Sequence, residues 1–136
     1  MIVRTVKEFT SVCNEGLPEN PVPMTKEEIV FLREMVNSEF DELEASLSQE
    51  DPVKKVVEQY DAIVDMLVYL ADGCVKKAFN IDDVFSVVHA ANMRKIIDGK
   101  VIKNERGKVL KPEGWYGPEE EMGKVIEGHL NQGSWN

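Results

Sequence analysis

Glu39 and Glu42 stand three residues apart, and Asp61 and Asp65 four apart, in a chain of 136 residues. On a helix either spacing puts both carboxylates on one face, a turn apart. Like charges that close repel unless a cation lies between them. Helical bundles build divalent-metal sites from carboxylates on facing helices. Neither motif contains His or Cys. The donors are therefore all hard oxygens, which favours Mg²⁺, with Mn²⁺ as a second choice. Mg²⁺ is commonly shared with substrate phosphates, and positive charge suited to phosphates lies further along. Residues 91–117 carry seven Lys and Arg against three Asp and Glu, net +4, while residues 1–90 carry net -10 and residues 118–136 net -3. Asn92, Lys95, Lys108 and Lys111 in that basic stretch are the candidates to hold phosphate or sugar oxygens.

The rest of the composition narrows the partners. A net charge of -9 argues against general binding to a nucleic-acid polymer, which needs clustered Lys and Arg. The longest apolar stretch, 62–71, is broken by Asp65 and falls short of the roughly 18 residues of a membrane span. Two cysteines, Cys13 and Cys74, make no disulfide framework and read as small core residues. A cytoplasmic protein with no membrane contact is the expectation.

The elements that must position these residues are helical, and the class is all-α in one domain over 1–136. The periodicity predicts a first helix from about Val3 to Asn14, stopped by Gly16 and three prolines up to Pro23. Thr25 with Glu28 forms a capping box opening a second helix to about Leu47. Asp51-Pro52 starts a third, to Gly73 or through to Ala78. Asn80 is expected to cap a fourth helix, Ile81 to Ile97, ended by Gly99. A basic loop of residues 99–117 follows, then a weaker helix from Pro118 to about Leu130 and a frayed tail from Asn131.

On a helical wheel the acids fall where a core is expected. Ile29, Leu32, Met35, Val36, Phe40, Leu43 and Leu47 form one apolar arc of the second helix. Glu39 lies inside it and Glu42 at its edge. A bare carboxylate in such a place is paired, protonated or bound to metal. Val53, Val56, Val57, Tyr60, Ile63, Val64, Leu67 and Leu70 form a wide apolar face on the third helix, bordered by Glu58, Asp61, Asp65 and Asp72. Asp61 and Asp65 are the stronger ligand candidates; Glu58 and Asp72 read as solvated. The third helix is apolar over more than half its circumference, more than one small bundle needs. That predicts a homodimer or dimer-based oligomer. In the fourth helix Asn92 and Lys95 sit at the end of the stripe Ile81, Val84, Phe85, Val88, Ala91. His89 lies off that stripe and reads as structural. Trp115 and Tyr116 read as packing the loop onto the bundle.

The run Glu39-x-x-Glu42, followed on the next helix by Asp61-Ala62-Ile63-Val64-Asp65-Met66-Leu67-Val68-Tyr69, resembles the all-α nucleoside triphosphate pyrophosphatases. These comprise the MazG-like proteins, the dimeric dUTPases and the phosphoribosyl-ATP pyrophosphohydrolases. Val88-His89-Ala90-Ala91-Asn92-Met93-Arg94-Lys95 and Gly107-Lys108-Val109-Leu110-Lys111-Pro112 resemble the phosphoribosyl-ATP pyrophosphohydrolase-like branch. The resemblance implies a four- to five-helix MazG-like bundle. It implies Mg²⁺ held by Glu39, Glu42, Asp61 and Asp65, with Glu39 or Glu42 as the base. It implies hydrolysis of a (d)NTP to the (d)NMP and pyrophosphate, in house-cleaning or nucleotide-pool control. Two positions depart from the family's pattern: Ser38 stands where a tandem glutamate is frequent, and Ala62 where the second motif often has Glu. Other readings stay open: a phosphoribosyl-ATP pyrophosphohydrolase of histidine biosynthesis, a catalytically inactive nucleotide-binding module, or a structural helical adaptor.

Overall fold

The computed structural model describes residues 1–136. It is all-helical: α1 (Ile2–Cys13), α2 (Lys26–Ala45), α3 (Pro52–Lys76), α4 (Asp82–Met93) and α5 (Glu119–Gln132), with a 3₁₀ turn at Ser46–Ser48 after α2. The starts of α2 and α3 follow from local chemistry. The Thr25 hydroxyl accepts from Glu28 N and the Glu28 carboxylate accepts from Thr25 N, closing the expected box. The Asp51 carboxylate accepts from Val53 N and Lys54 N ahead of Pro52. α3 continues past Gly73 to Lys76, and Ala78 just beyond it has φ 56°. A left-handed residue at a helix end is usually Gly, and here buried alanine takes that place.

α4 differs most from its expected span. It ends at Met93, not Ile97. Lys95 N and Ile96 N bond to the carbonyls of Asn92 and Met93, tightening the last turn. Asp98 and Gly99 then take φ 52° and 74°, and Ile97 and Lys100 exchange both backbone hydrogen bonds, at 2.8 and 3.0 Å. Two left-handed residues between a doubly bonded pair make a two-residue hairpin turn, for which Asp-Gly is a favoured sequence. Nor does Asn80 cap α4. Ile81 holds the cap position, and the Asn80 amide donates to Asp83 Oδ2 and to the Ser134 carbonyl.

The helices interlock by capping as well as by apolar contact. α1 has no local cap. The Asp82 carboxylate, from the first turn of α4, accepts from Val3 N at 3.3 Å and Arg4 N at 3.0 Å instead. Val3, Ala71 and Val75 form the buried cluster between α1 and α3, covered by Leu17, Cys74 and Trp135. The tail is docked rather than frayed. Ser134 is buried, donating through its hydroxyl to Ala78 O at 2.6 Å and through its backbone N to Glu19 O at 2.9 Å. Cys13 is exposed and Cys74 half-buried, so the core expectation fails for Cys13. His129 on α5 is buried against Asp83 at 2.9 Å.

α2 packs antiparallel on α3, and α1 lies against α3 and α4. α4 also contacts α5, and does not pack on α2 or α3. The wide apolar face of α3 points away from these contacts: Val53 is 72% exposed, Tyr60 71% and Leu67 41%. The α3 residues buried towards the rest of the chain are the small or slender Ala62, Met66, Ala71 and Val75. No helix is long and apolar enough to cross a membrane.

Candidate metal centre

Two contacts bracket the α2–α3 pair. Lys77 Nζ donates to Glu28 Oε1 at 2.9 Å at one end. Gln49 Nε2 donates to Glu58 Oε1 at 3.0 Å at the other. Between them Glu39, Glu42 and Asp65 converge, each offering a carboxylate oxygen within 4.8 Å of the others'. Their exposures differ. Glu39 is buried, 7% exposed, whereas Glu42 is exposed and Asp65 half-buried. Glu39 Oε2 is buried with no hydrogen-bond partner. A native fold rarely leaves such an oxygen unpartnered.

The electrostatics follow from that geometry. Loss of water around the Glu39 carboxyl, then the close approach and charge of the Glu42 carboxyl, then the charges of Asp65 and Asp61, push its pKa up to about 7. Burial, then Asp61, then Glu42, raise Asp65 as well. The backbone therefore holds three acids together against their own repulsion. A cation within reach of all three relieves both the desolvation and the repulsion. The donors are carboxylate oxygens only, which suits a hard divalent ion, and the orphaned Glu39 Oε2 offers a ligand position.

Asp61 stands outside the convergent group, exposed, close enough for its charge to act on both Glu39 and Asp65. Glu58 is engaged with Gln49. Asp72 serves the fold, accepting from the buried Thr10 hydroxyl at 2.7 Å and pairing with Lys76 at 2.9 Å. At the departure positions, the Ser38 hydroxyl donates back to the Met35 carbonyl, and Ala62 is buried. Neither supplies a charge to the site.

The basic candidates divide. Asn92, Lys95 and Lys111 gather at the C-terminal end of α4. Lys95 Nζ donates to Asn92 Oδ1 at 3.1 Å, and the Lys95 and Lys111 ammoniums lie 5.3 and 5.1 Å from the centre of the Trp115 ring. Trp115 packs as expected, with its indole N–H donating to Ala91 O at 2.7 Å. Lys108 sits apart on the 103–109 hairpin, whose turn is organised by Asn104 accepting from Arg106 N and Lys108 N. No ion pair or hydrogen bond joins any of the four to the acidic triad. Reading single residues missed Arg94. Its guanidinium stacks 4.0 Å from the Tyr116 ring centre and donates to the carbonyls of Tyr116 and Gly117, clamping the loop to α4. Its signal was an arginine at a helix end followed, across a glycine-rich loop, by Trp115-Tyr116-Gly117.

Comparison of the chain with models of known protein families finds no match, and a search of curated proteins finds none.

Proposed function

We propose that the protein is a Mg²⁺-dependent nucleoside triphosphate pyrophosphohydrolase of the MazG-like, phosphoribosyl-ATP pyrophosphohydrolase-like type. It would convert a (d)NTP and water to the (d)NMP and pyrophosphate. The observation that carries the reading is the convergence of Glu39, Glu42 and Asp65 around a buried, unpartnered carboxylate oxygen. These three would hold the ion, with Asp61 beside them adding negative charge. Bound Mg²⁺ would draw charge from the phosphate oxygens and make the α-phosphorus easier to attack. The chain's own part is to place a proton acceptor. A carboxylate at the exposed side of the triad, Glu42, reaches water and would take the proton. Lys95 and Lys111, with Asn92 between the helix end and the loop, would take the charge of the departing β,γ-phosphates, and Lys108 would reach them from the hairpin.

Within one chain this basic group is not bonded to the triad. A second copy accounts for both that separation and the exposed α3 face. A homodimer would bury Tyr60, Val64 and Leu67 and bring one protomer's +4 segment towards the other's acids.

The test is pyrophosphate release over standard and modified (d)NTPs and phosphoribosyl-ATP, with Mg²⁺ and with Mn²⁺. At least one substrate gives pyrophosphate, and Glu39→Gln lowers the rate by about a hundredfold or more. Ser38 and Ala62 favour one second reading, an inactive module that binds Mg-nucleotide. That module gains thermal stability with Mg-nucleotide and releases no pyrophosphate. A structural adaptor shows neither effect.

A further inference from the structure

Between the acidic triad and the Lys77–Glu28 ion pair, α2 and α3 flank an open cavity of about 260 Å³. Phe31, Leu32 and Met35 line it from α2, and Tyr69, Gly73 and Lys76 from α3. It begins one helical turn from the triad. Met35 is four residues before Glu39 and Tyr69 four after Asp65, so each shares its carboxylate's face at about 6 Å along the axis. Gly73 helps to keep the space open. A Cβ there would meet both Leu32 methyls at 3.5 Å, ordinary contact, while a longer side chain would enter the cavity.

The lining decides what kind of group belongs there. Two aromatic rings and two thioethers, of Met24 and Met35, suit a flat, polarisable ring. The lysines at this end are already neutralised, Lys76 by Asp72 and Lys77 by Glu28, each at 2.9 Å. They are poorly placed to hold a polyphosphate, and their paired charges leave polar edges for hydrogen bonds. A ribose spans roughly the one-turn gap between this cavity and a phosphate held at the triad.

We propose that this cavity takes the nucleobase, so that the substrate lies along the α2–α3 groove with its phosphates at Glu39, Glu42 and Asp65 and its base towards the N-terminus of α2. The proposal rests on the nucleotide reading above and adds the site that sets base preference. Phe31 and Tyr69 stack on the ring, and the Gly73–Leu32 wall limits its size.

Binding of α,β-imido-dUTP and α,β-imido-ATP in the presence of Mn²⁺ tests it, with inorganic tripolyphosphate as the probe that has no base. Gly73→Leu fills the cavity and is expected to weaken both nucleotide analogues by about tenfold or more. Affinities for tripolyphosphate and for Mn²⁺ alone stay within about twofold. Phe31→Ala is the second variant. Phe31 is half-exposed, so its loss leaves the helices intact, and it is expected to weaken the analogues about fivefold. Nucleotide affinities unchanged in both variants overturn the proposal. So does a wild-type protein that binds tripolyphosphate as tightly as the nucleotides, an outcome that leaves the phosphate site standing. A wild-type protein that binds Mn²⁺ but none of the three probes overturns the nucleotide reading and this proposal with it.

Discussion

Glu39 is the residue on which the proposed chemistry turns, and its protonation sets a pH dependence that runs against the usual trend for carboxylates. Its folded pKa of about 7 lies above the ordinary 4.5. Between those values the folded state binds more protons than the unfolded one. The contribution to stability is therefore complete below about pH 4.5 and lost as pH rises through 7. Melting of the metal-free protein across pH 5 to 8 should show Tm falling in that window, and Glu39→Gln should flatten the fall. A divalent ion displaces the proton, so its apparent affinity should rise with pH up to about 7 and then level off. Calorimetric titration in buffers of different ionisation enthalpy measures the released proton. Much of this residue was legible in the sequence: a glutamate inside an apolar arc, with a partner three residues on. The wheel also placed Phe40 in that arc, yet Phe40 is half-exposed and Glu39 buried. Mean helical angles resolve a face but not which of two adjacent residues turns inward; the packing of α2 on α3 settles it.

At the scale of elements, local signals gave the starts of α2 and α3 to the residue and their ends to within about three, because Thr25, Glu28, Asp51 and Pro52 satisfy their own helix starts. Other contacts that hold the fold come from a distance. α1 is capped by Asp82, about eighty residues away, and the tail by contacts to Ala78 and Glu19. No window along the sequence contains such pairs. Two stability predictions follow from them. Asp82→Ala removes two backbone acceptor contacts at the α1 N-terminus and should cost about 1–2 kcal/mol in urea unfolding. Ser134→Ala leaves the Ala78 carbonyl without its hydroxyl donor in a buried place and should cost about 1–3 kcal/mol by the same measurement. Neither residue is part of the candidate metal centre, so Mn²⁺ affinity should hold in both variants. The early end of α4 was legible in principle. Asp98-Gly99 is a hairpin signal, and the apolar stripe running on through Ile96 and Ile97 masked it.

For the molecule as a whole, the sequence shows that α3 carries more apolar surface than one bundle needs, and the fold leaves that surface bare. The chain buries its small α3 residues and exposes Val53, Tyr60, Val64 and Leu67. Contiguous apolar surface of this kind marks an association face. If a second copy covers it, Leu67→Glu should shift the protein from dimer to monomer in light scattering with the helical circular dichroism unchanged. A strictly monomeric wild-type protein at micromolar concentration would contradict the dimer. The placement of the basic segment was not legible, because charge counts show that residues 91–117 are positive but not which helix α4 packs against. The most direct test of the central claim is an anomalous difference map from crystals soaked in Mn²⁺. The account predicts one strong peak within bonding distance of the carboxylates of Glu39, Glu42 and Asp65, lost in Glu39→Gln. An ordered triad with no peak among the three, at millimolar Mn²⁺, would contradict it.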